Sequence, residues 1–143
     1  MTGFRVGYAI AEETIIDKMA KVQATGLTSV AEPMQYAALA ALEESSVENV
    51  KRIKRRLEII SNELREMSLQ FVQPDGAMYV YPKLGNGKRD VDLVHKALDL
   101  GVAIAPGSGF GKCYGEFIRI SACQPHDQLE RGMDLLKAAV SSS

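Results

Sequence analysis

Apolar residues recur every three or four positions between Val47 and Met67, which predicts one long amphipathic helix. Weaker repeats of the same spacing predict four more helices, at Glu12 to about Ala24, from near Val30 with Pro33 in its first turn, at Val91 to Leu100, and at about Pro125 to Val140. Glycines at positions 26 and 101 are placed to end two of these helices. The chain is therefore rich in helices.

Short runs of β-branched and aromatic residues lie between these helices. Leu69 to Val72 and Ala77 to Tyr81 flank a Pro-Asp-Gly turn, which predicts a hairpin, and Val102 to Ala105 and Phe117 to Cys123 are two further strand candidates. Gly3 to Ala11 also reads as a strand, although no partner for it lies nearby in the sequence. The resulting expectation is an α+β fold with a small mixed sheet packed against helices, one of them long.

Composition narrows the classes of function. The chain has 143 residues, a formal net charge of −1, 46% hydrophobic residues and two cysteines. This length favours one domain with its own core, and the near-neutral charge argues against nucleic-acid and membrane partners. Two cysteines cannot build a disulfide framework, and the first residues do not resemble a secretion signal, so we expect a cytoplasmic location.

Arg119 is the strongest candidate for a binding residue. On the strand predicted at Phe117 to Cys123, it shares a face with Phe117 and Ser121, while Ile118 and Ile120 point to the other face. If its face is partly buried, the guanidinium requires an anion, and its planar fork fits a carboxylate through two parallel hydrogen bonds. Exposure on an edge strand is the alternative.

Arg5 raises the same question, because it lies between Gly3 and Gly7 in a segment where the backbone could approach a ligand closely. A phosphate or carboxylate would suit it, and a lone surface arginine near a frayed terminus is the alternative.

The glycine-rich stretch from Gly107 to Gly111 matches neither the G-x-x-x-x-G-K-[ST] nor the complete G-x-G-x-x-G spacing of phosphate-binding loops. It is better interpreted as a tight turn beside another group. His95 and His126 have no metal-ligand spacing around them, and we predict no metal site.

Five segments together resemble the C-terminal part of the class I/II aminotransferases, the aspartate-aminotransferase-like enzymes of fold type I that depend on pyridoxal 5′-phosphate. They are Thr2 to Tyr8, Gln35 to Leu42, Pro74 to Val80, Val102 to Gly111 and Phe117 to Ser121, in the family's order. The resemblance covers essentially the whole chain.

The resemblance implies a role for each arginine. The arginine of the family's G-[FW]-R-x-G segment helps to hold the cofactor phosphate and matches Arg5, while the arginine of its F-[IV]-R-[IL]-S strand binds the substrate α-carboxylate and matches Arg119. The resemblance implies that the full-length parent is a homodimer. It also implies that the parent exchanges an amino group between an amino acid and a 2-oxo acid, with aspartate as the default amino acid.

The chain departs from the family in two respects. The lysine that forms the Schiff base precedes the G-[FW]-R-x-G segment in these enzymes, whereas only Met1 and Thr2 precede Gly3 here, and Lys18 does not match the motif. The large domain of the family is missing as well. We therefore expect a C-terminal fragment with no catalytic residue of its own, inactive and without bound cofactor when alone.

The same resemblance suggests three regions: residues 1–11 as a strand remnant of the large cofactor domain, residues 12–45 as connecting helices, and residues 46–143 as the C-terminal small domain. Two other functions remain open at this point. One is a stand-alone α+β module that binds anions or small molecules through its arginines, and the other is an assembly domain that uses the long helix as an interface.

Overall fold

A computed structural model describes residues 1–44, 46–85 and 87–142 of the chain. These residues form five α-helices and three short β-strands, and each helix lies where the sequence pattern predicts one. The helices are α1 (Glu13–Gly26), α2 (Glu32–Glu43), α3 (Val47–Glu66), α4 (Asp90–Asp99) and α5 (His126–Ser141). The strands are β1 (Tyr79–Val80), β2 (Ala105–Pro106) and β3 (Ile118–Ser121). Asn86, in the loop between β1 and α4, lies outside the described residues.

The chain divides into two compact units, Met1–Val47 and Glu48–Ser143. The first unit contains α1 and α2, and neither helix has a fully buried residue among those described. The second contains α3, the sheet, α4 and α5. The three-region division at residues 11 and 45 stays a prediction, and Ser45 itself lies outside the described residues.

The strand predicted for Gly3 to Ala11 is wrong for this chain. Thr2–Phe4 forms one 3-10 turn, and residues 5–11 pair with no strand in the described part of the chain. The side chains of Tyr8 and Ile10 are 78% and 89% exposed. The physical reason is that a strand is stable only when a neighbour satisfies its backbone N–H and C=O groups, and the described residues offer this segment none.

The sheet is small and is organised around β3. This strand lies between β1 and β2 and runs antiparallel to both, with Val80 opposite Ile120 and Ala105 opposite Arg119. The α+β class is confirmed, although the described strands pair only in the antiparallel sense, where a mixed sheet was expected.

The predicted hairpin at Leu69 to Tyr81 is wrong in its pairing. It is reduced to one antiparallel bridge between Gln70 and Lys83, because β1 pairs with β3 instead. Pro82, two residues after β1, lacks the N–H group that would extend a ladder.

The core of the second unit joins one face of the sheet to α3, α4 and α5. Ile118 and Ile120 of β3 are buried, and they belong to one cluster with the apolar faces of the three helices. The helical members of this cluster are Leu57, Ile60, Leu64, Leu93, Ala97, Leu129, Met133, Leu136 and Ala139. The alternation predicted along β3 is confirmed, because Arg119 and Ser121 lie on the face that is not buried.

The end of β3 is also tied directly to α3. Arg56 donates hydrogen bonds from Nη1 to the backbone oxygens of Cys123, at 3.2 Å, and Ala122, at 3.5 Å. Core packing on one side and this arginine at the end fix the path of β3, and with it the position of the Arg119 backbone.

None of the described helices is both long and apolar enough to cross a membrane.

Ser61 gives a test of this packing, because its hydroxyl is buried on α3 and has no hydrogen-bond partner. We expect Ser61→Ala to raise the free energy of unfolding by about 1 kcal/mol, since it removes an unsatisfied buried group and places a better helix former there. Urea denaturation followed by circular dichroism measures this change. Glu58→Ala, at an exposed position of α3, controls for helix propensity alone. A loss of stability in Ser61→Ala would contradict the packing described.

Candidate functional site

The guanidinium of Arg119 lies between two aromatic rings. Its Cζ atom is 4.4 Å from the ring centroid of Tyr79 and 4.7 Å from that of Phe110. Tyr79 is on the neighbouring strand β1, while Phe110 comes from the glycine-rich turn that follows β2. Arg119 is half-buried, so the predicted alternative of full exposure on an edge strand is wrong.

No carboxylate of the described residues forms an ion pair with Arg119. The two rings attract the cation through their negative faces, but they cannot accept its N–H groups as a carboxylate oxygen does. A guanidinium presents up to five N–H donors in one plane. Arg119 is therefore positioned to receive an external anion, and a carboxylate matches its fork.

A cluster of aromatic side chains supports this arrangement. Tyr81 stacks on Phe117, with ring centroids 5.4 Å apart, and meets Phe110 edge-on at 6.0 Å. Its hydroxyl donates a hydrogen bond to the Gly107 carbonyl oxygen at 3.2 Å. Burial, with smaller effects of Tyr114 and Asp90, raises the pKa of Tyr81 above its ordinary value, while the charge of Arg119 opposes the rise. The Tyr81 phenol thus stays protonated and neutral. Its hydrogen bond to Gly107 links the segment directly after β1 to the glycine-rich turn.

Gly107 is required by close backbone packing at the start of this turn. Its N–H donates to the Phe117 carbonyl oxygen at 2.8 Å. A Cβ atom on Gly107 would come within 2.6 Å of that same oxygen and 2.8 Å of the Phe117 Cβ. Gly111, at the other end, has a φ of +152°, which side chains disfavour. The geometry agrees with a tight turn rather than a phosphate loop.

Asp90 is a site residue that the sequence analysis missed. It is the first residue of α4 and is 2% exposed, yet its carboxylate accepts a hydrogen bond from the Ser108 N–H at 2.7 Å. Burial alone would raise the pKa of Asp90, but hydrogen bonds from the Ser108 side chain and from the Ser108 and Val91 backbone outweigh it and lower that pKa. An acidic residue at a helix start was visible in the sequence, but it indicated only a favourable position near the helix dipole.

Arg5 lies in the first compact unit, whereas Arg119 lies in the second. Its side chain is exposed, its φ is +56°, and it forms no ion pair with the described residues. A Cβ atom on Gly3 or Gly7 would meet nothing within 4 Å. The described structure therefore gives no steric reason for these two glycines, and the close approach predicted for them stays a prediction.

Comparison with known proteins identifies the relatives of this chain. The family model described as "Aminotransferase class I and II" matches residues 1–136. An aspartate aminotransferase of Pyrococcus abyssi is 35% identical, over 96% of this chain and 37% of that protein. An aromatic-amino-acid aminotransferase of Thermococcus litoralis is 33% identical, over 96% of this chain and 37% of that protein.

Solved structures agree with these matches. The crystal structure of an aspartate aminotransferase from Thermotoga maritima is similar with a TM-score of 0.83 and 32% identity, covering 99% of this chain and 37% of that one. The matched parts of such structures are C-terminal regions. The chain thus spans a little more than a third of the length of the relatives it matches.

The two glycines of the turn provide a matched test of the site's backbone. We expect Gly107→Ala to lower the free energy of unfolding by roughly 2 kcal/mol, because the new methyl group would overlap the Phe117 backbone. Gly109→Ala is the control, since a Cβ there meets nothing within 4 Å. Thermal and urea denaturation of both variants measure the difference. Equal effects of the two substitutions would contradict the turn geometry.

Proposed function

The chain belongs to the class I and II aminotransferase family, and we propose that Arg119 binds the α-carboxylate of the amino-acid and 2-oxo-acid substrates of a longer aminotransferase. The observation that carries this proposal is the half-buried guanidinium held between Tyr79 and Phe110 with no carboxylate partner among the described residues. Amino acids and 2-oxo acids both carry an α-carboxylate, so one arginine can serve both halves of the reaction.

Arg119 would act by orientation. Two parallel hydrogen bonds from the guanidinium fix the plane and direction of the carboxylate, and therefore the direction of the Cα–H bond next to it. The ring contacts restrict the guanidinium before the substrate arrives, which lowers the entropy lost on binding. The chain thus contributes substrate binding and alignment.

Pyridoxal 5′-phosphate, when bound in an enzyme of this family, supplies the electron sink for chemistry at Cα. Arg5 fits one part of its recognition, because an exposed guanidinium without an ion pair in the described residues can bind a phosphate oxygen. A single arginine does not make a phosphate site, so the proposal requires further phosphate ligands in the longer enzyme. Cofactor binding through Arg5 is thus a proposal for the longer enzyme.

The residues that would carry the covalent chemistry are also proposed to lie outside this chain. Only Met1 and Thr2 precede the Gly3-Phe4-Arg5 segment, so none of the 143 residues matches the family's lysine motif. We infer that a large cofactor domain supplies that lysine and that the assembled enzyme is a cytoplasmic homodimer. Aspartate is the first substrate to assay, because relatives in two organisms bear the name aspartate aminotransferase.

A chimera tests the role of Arg119. In it, this chain replaces the matching region of the Thermotoga maritima aspartate aminotransferase, and the activity toward aspartate and 2-oxoglutarate is measured. We expect Arg119→Gln to lower kcat/KM roughly 10³-fold, because the carboxylate loses its charged partner. Arg131→Gln is the control, at an exposed position of α5. Full activity of Arg119→Gln in a folded, cofactor-loaded chimera would refute the assignment.

The isolated chain provides a second test. With added pyridoxal 5′-phosphate, aspartate and 2-oxoglutarate, we expect no turnover and no cofactor attached to a single lysine after borohydride treatment and peptide mapping. The physical reason is that these 143 residues lack a lysine at the position that the family's motif requires. Stoichiometric attachment at one lysine, lost when that lysine is replaced, would show that the chain holds a cofactor site of its own.

A further inference from the structure

Asp90 holds the chain on both sides of Phe110. Its carboxylate accepts the Ser108 N–H at 2.7 Å, and its backbone N–H donates to the Gly115 carbonyl oxygen at 2.9 Å. Ser108 lies near the start of the Gly107 to Gly111 turn, and Gly115 lies four residues after its end. The first residue of α4 thus ties down a segment that begins at Gly107, eight residues after the end of that helix along the chain.

Phe110 depends on this turn for its position, because burial does not hold it. Its side chain is 51% exposed, so core packing fixes it only in part. It follows Ser108 by two residues within one 3-10 turn, Gly107–Phe110. The Asp90–Ser108 hydrogen bond therefore sets where the Phe110 ring lies relative to the Arg119 guanidinium, 4.7 Å away.

A buried carboxylate in this place needs an explanation. Apart from Ser61, Asp90 is the only polar or charged residue that is fully buried among the described residues. Burying a carboxylate is costly unless hydrogen bonds compensate, and its compensating donors come from the turn and from the start of α4. A serine would place a polar side chain at the start of the helix without burying a charge. Its side chain is too short to reach the Ser108 N–H, so the contact that requires the longer side chain is the one to Ser108.

We propose that Asp90 is a positioning residue of the carboxylate site: through Ser108 it holds the turn that keeps Phe110 against Arg119. The inference rests on the proposed function of Arg119 for its consequence in catalysis, but its structural part concerns this chain alone. Asp90 forms no ion pair with Arg119, so its carboxylate does not bind the guanidinium directly. It acts through the turn.

The structural part is tested on the 143-residue chain by NMR of the Arg119 Nε–H group, whose resonance is shifted by the ring currents of Tyr79 and Phe110. Arg119→Lys identifies the signal, and Phe110→Leu shows where it moves when one ring is removed. Asp90→Ser keeps a polar side chain in the first turn of α4 but is too short to reach Ser108. We expect its Arg119 signal to move toward that of Phe110→Leu, while core methyl signals, such as those of Ile118, stay in place.

Three variants separate positioning from general stability. Ser108→Ala retains the backbone hydrogen bond and removes the hydroxyl, so we expect a smaller shift in the same direction, and this variant leaves Asp90 and α4 unchanged should Asp90→Ser fail to fold. Asp90→Asn keeps an acceptor of the same length and should restore the wild-type signal. Asp92→Asn, at an exposed position of the same helix turn, should change nothing. A wild-type Arg119 signal in folded Asp90→Ser, or in Ser108→Ala when Asp90→Ser is unfolded, would overturn the proposal.

The catalytic consequence is read in the chimera. We expect Asp90→Ser to raise KM for aspartate roughly fivefold with little change in kcat, because the carboxylate site is less preorganised and its other groups are intact. An unchanged KM would overturn this consequence. Failure of the proposed function gives a different result. In that case Arg119→Gln leaves the chimera active, and this outcome does not depend on how the Asp90 variants change the Arg119 resonance.

Discussion

The contact of one guanidinium with two aromatic rings is the interaction around which the second unit of this chain is organised. Tyr79 and Phe110 approach Arg119 from different elements, at 4.4 and 4.7 Å, and they leave its N–H groups without a carboxylate partner in the described structure. Rings compensate part of the cost of removing a charge from water, and an anion in the plane of the fork compensates more. The side chain is thus stable enough to be held in place and still available to a ligand.

Several elements around Arg119 hold this contact in place. Ile118 and Ile120 bury the opposite face of β3, and Arg56 ties the end of that strand to α3. The phenol of Tyr81 and the close packing at Gly107 then fix the turn on the other side. A rigid scaffold of this kind is what an orienting residue needs, because a small displacement of a carboxylate displaces the reacting bond beside it.

The sequence was informative where the signal is local. The three-to-four-residue repeat predicted α3, and the two-residue alternation around Arg119 predicted its face correctly. Non-local pairing was not predictable in the same way: the Gly3 to Ala11 strand failed for want of a partner, and the hairpin failed because β1 pairs with β3. Asp90 was missed for a related reason, since its partner Ser108 lies 18 residues away along the chain.

The most direct measurement of the central claim is a crystal structure of the Thermotoga maritima chimera bound to a dicarboxylate substrate analogue such as maleate. The account predicts that one carboxylate accepts two hydrogen bonds from the Arg119 guanidinium, at about 2.8 Å each, with the rings of Tyr79 and Phe110 on either side. A carboxylate bound by other cations, with the Arg119 guanidinium directed to solvent, would contradict it.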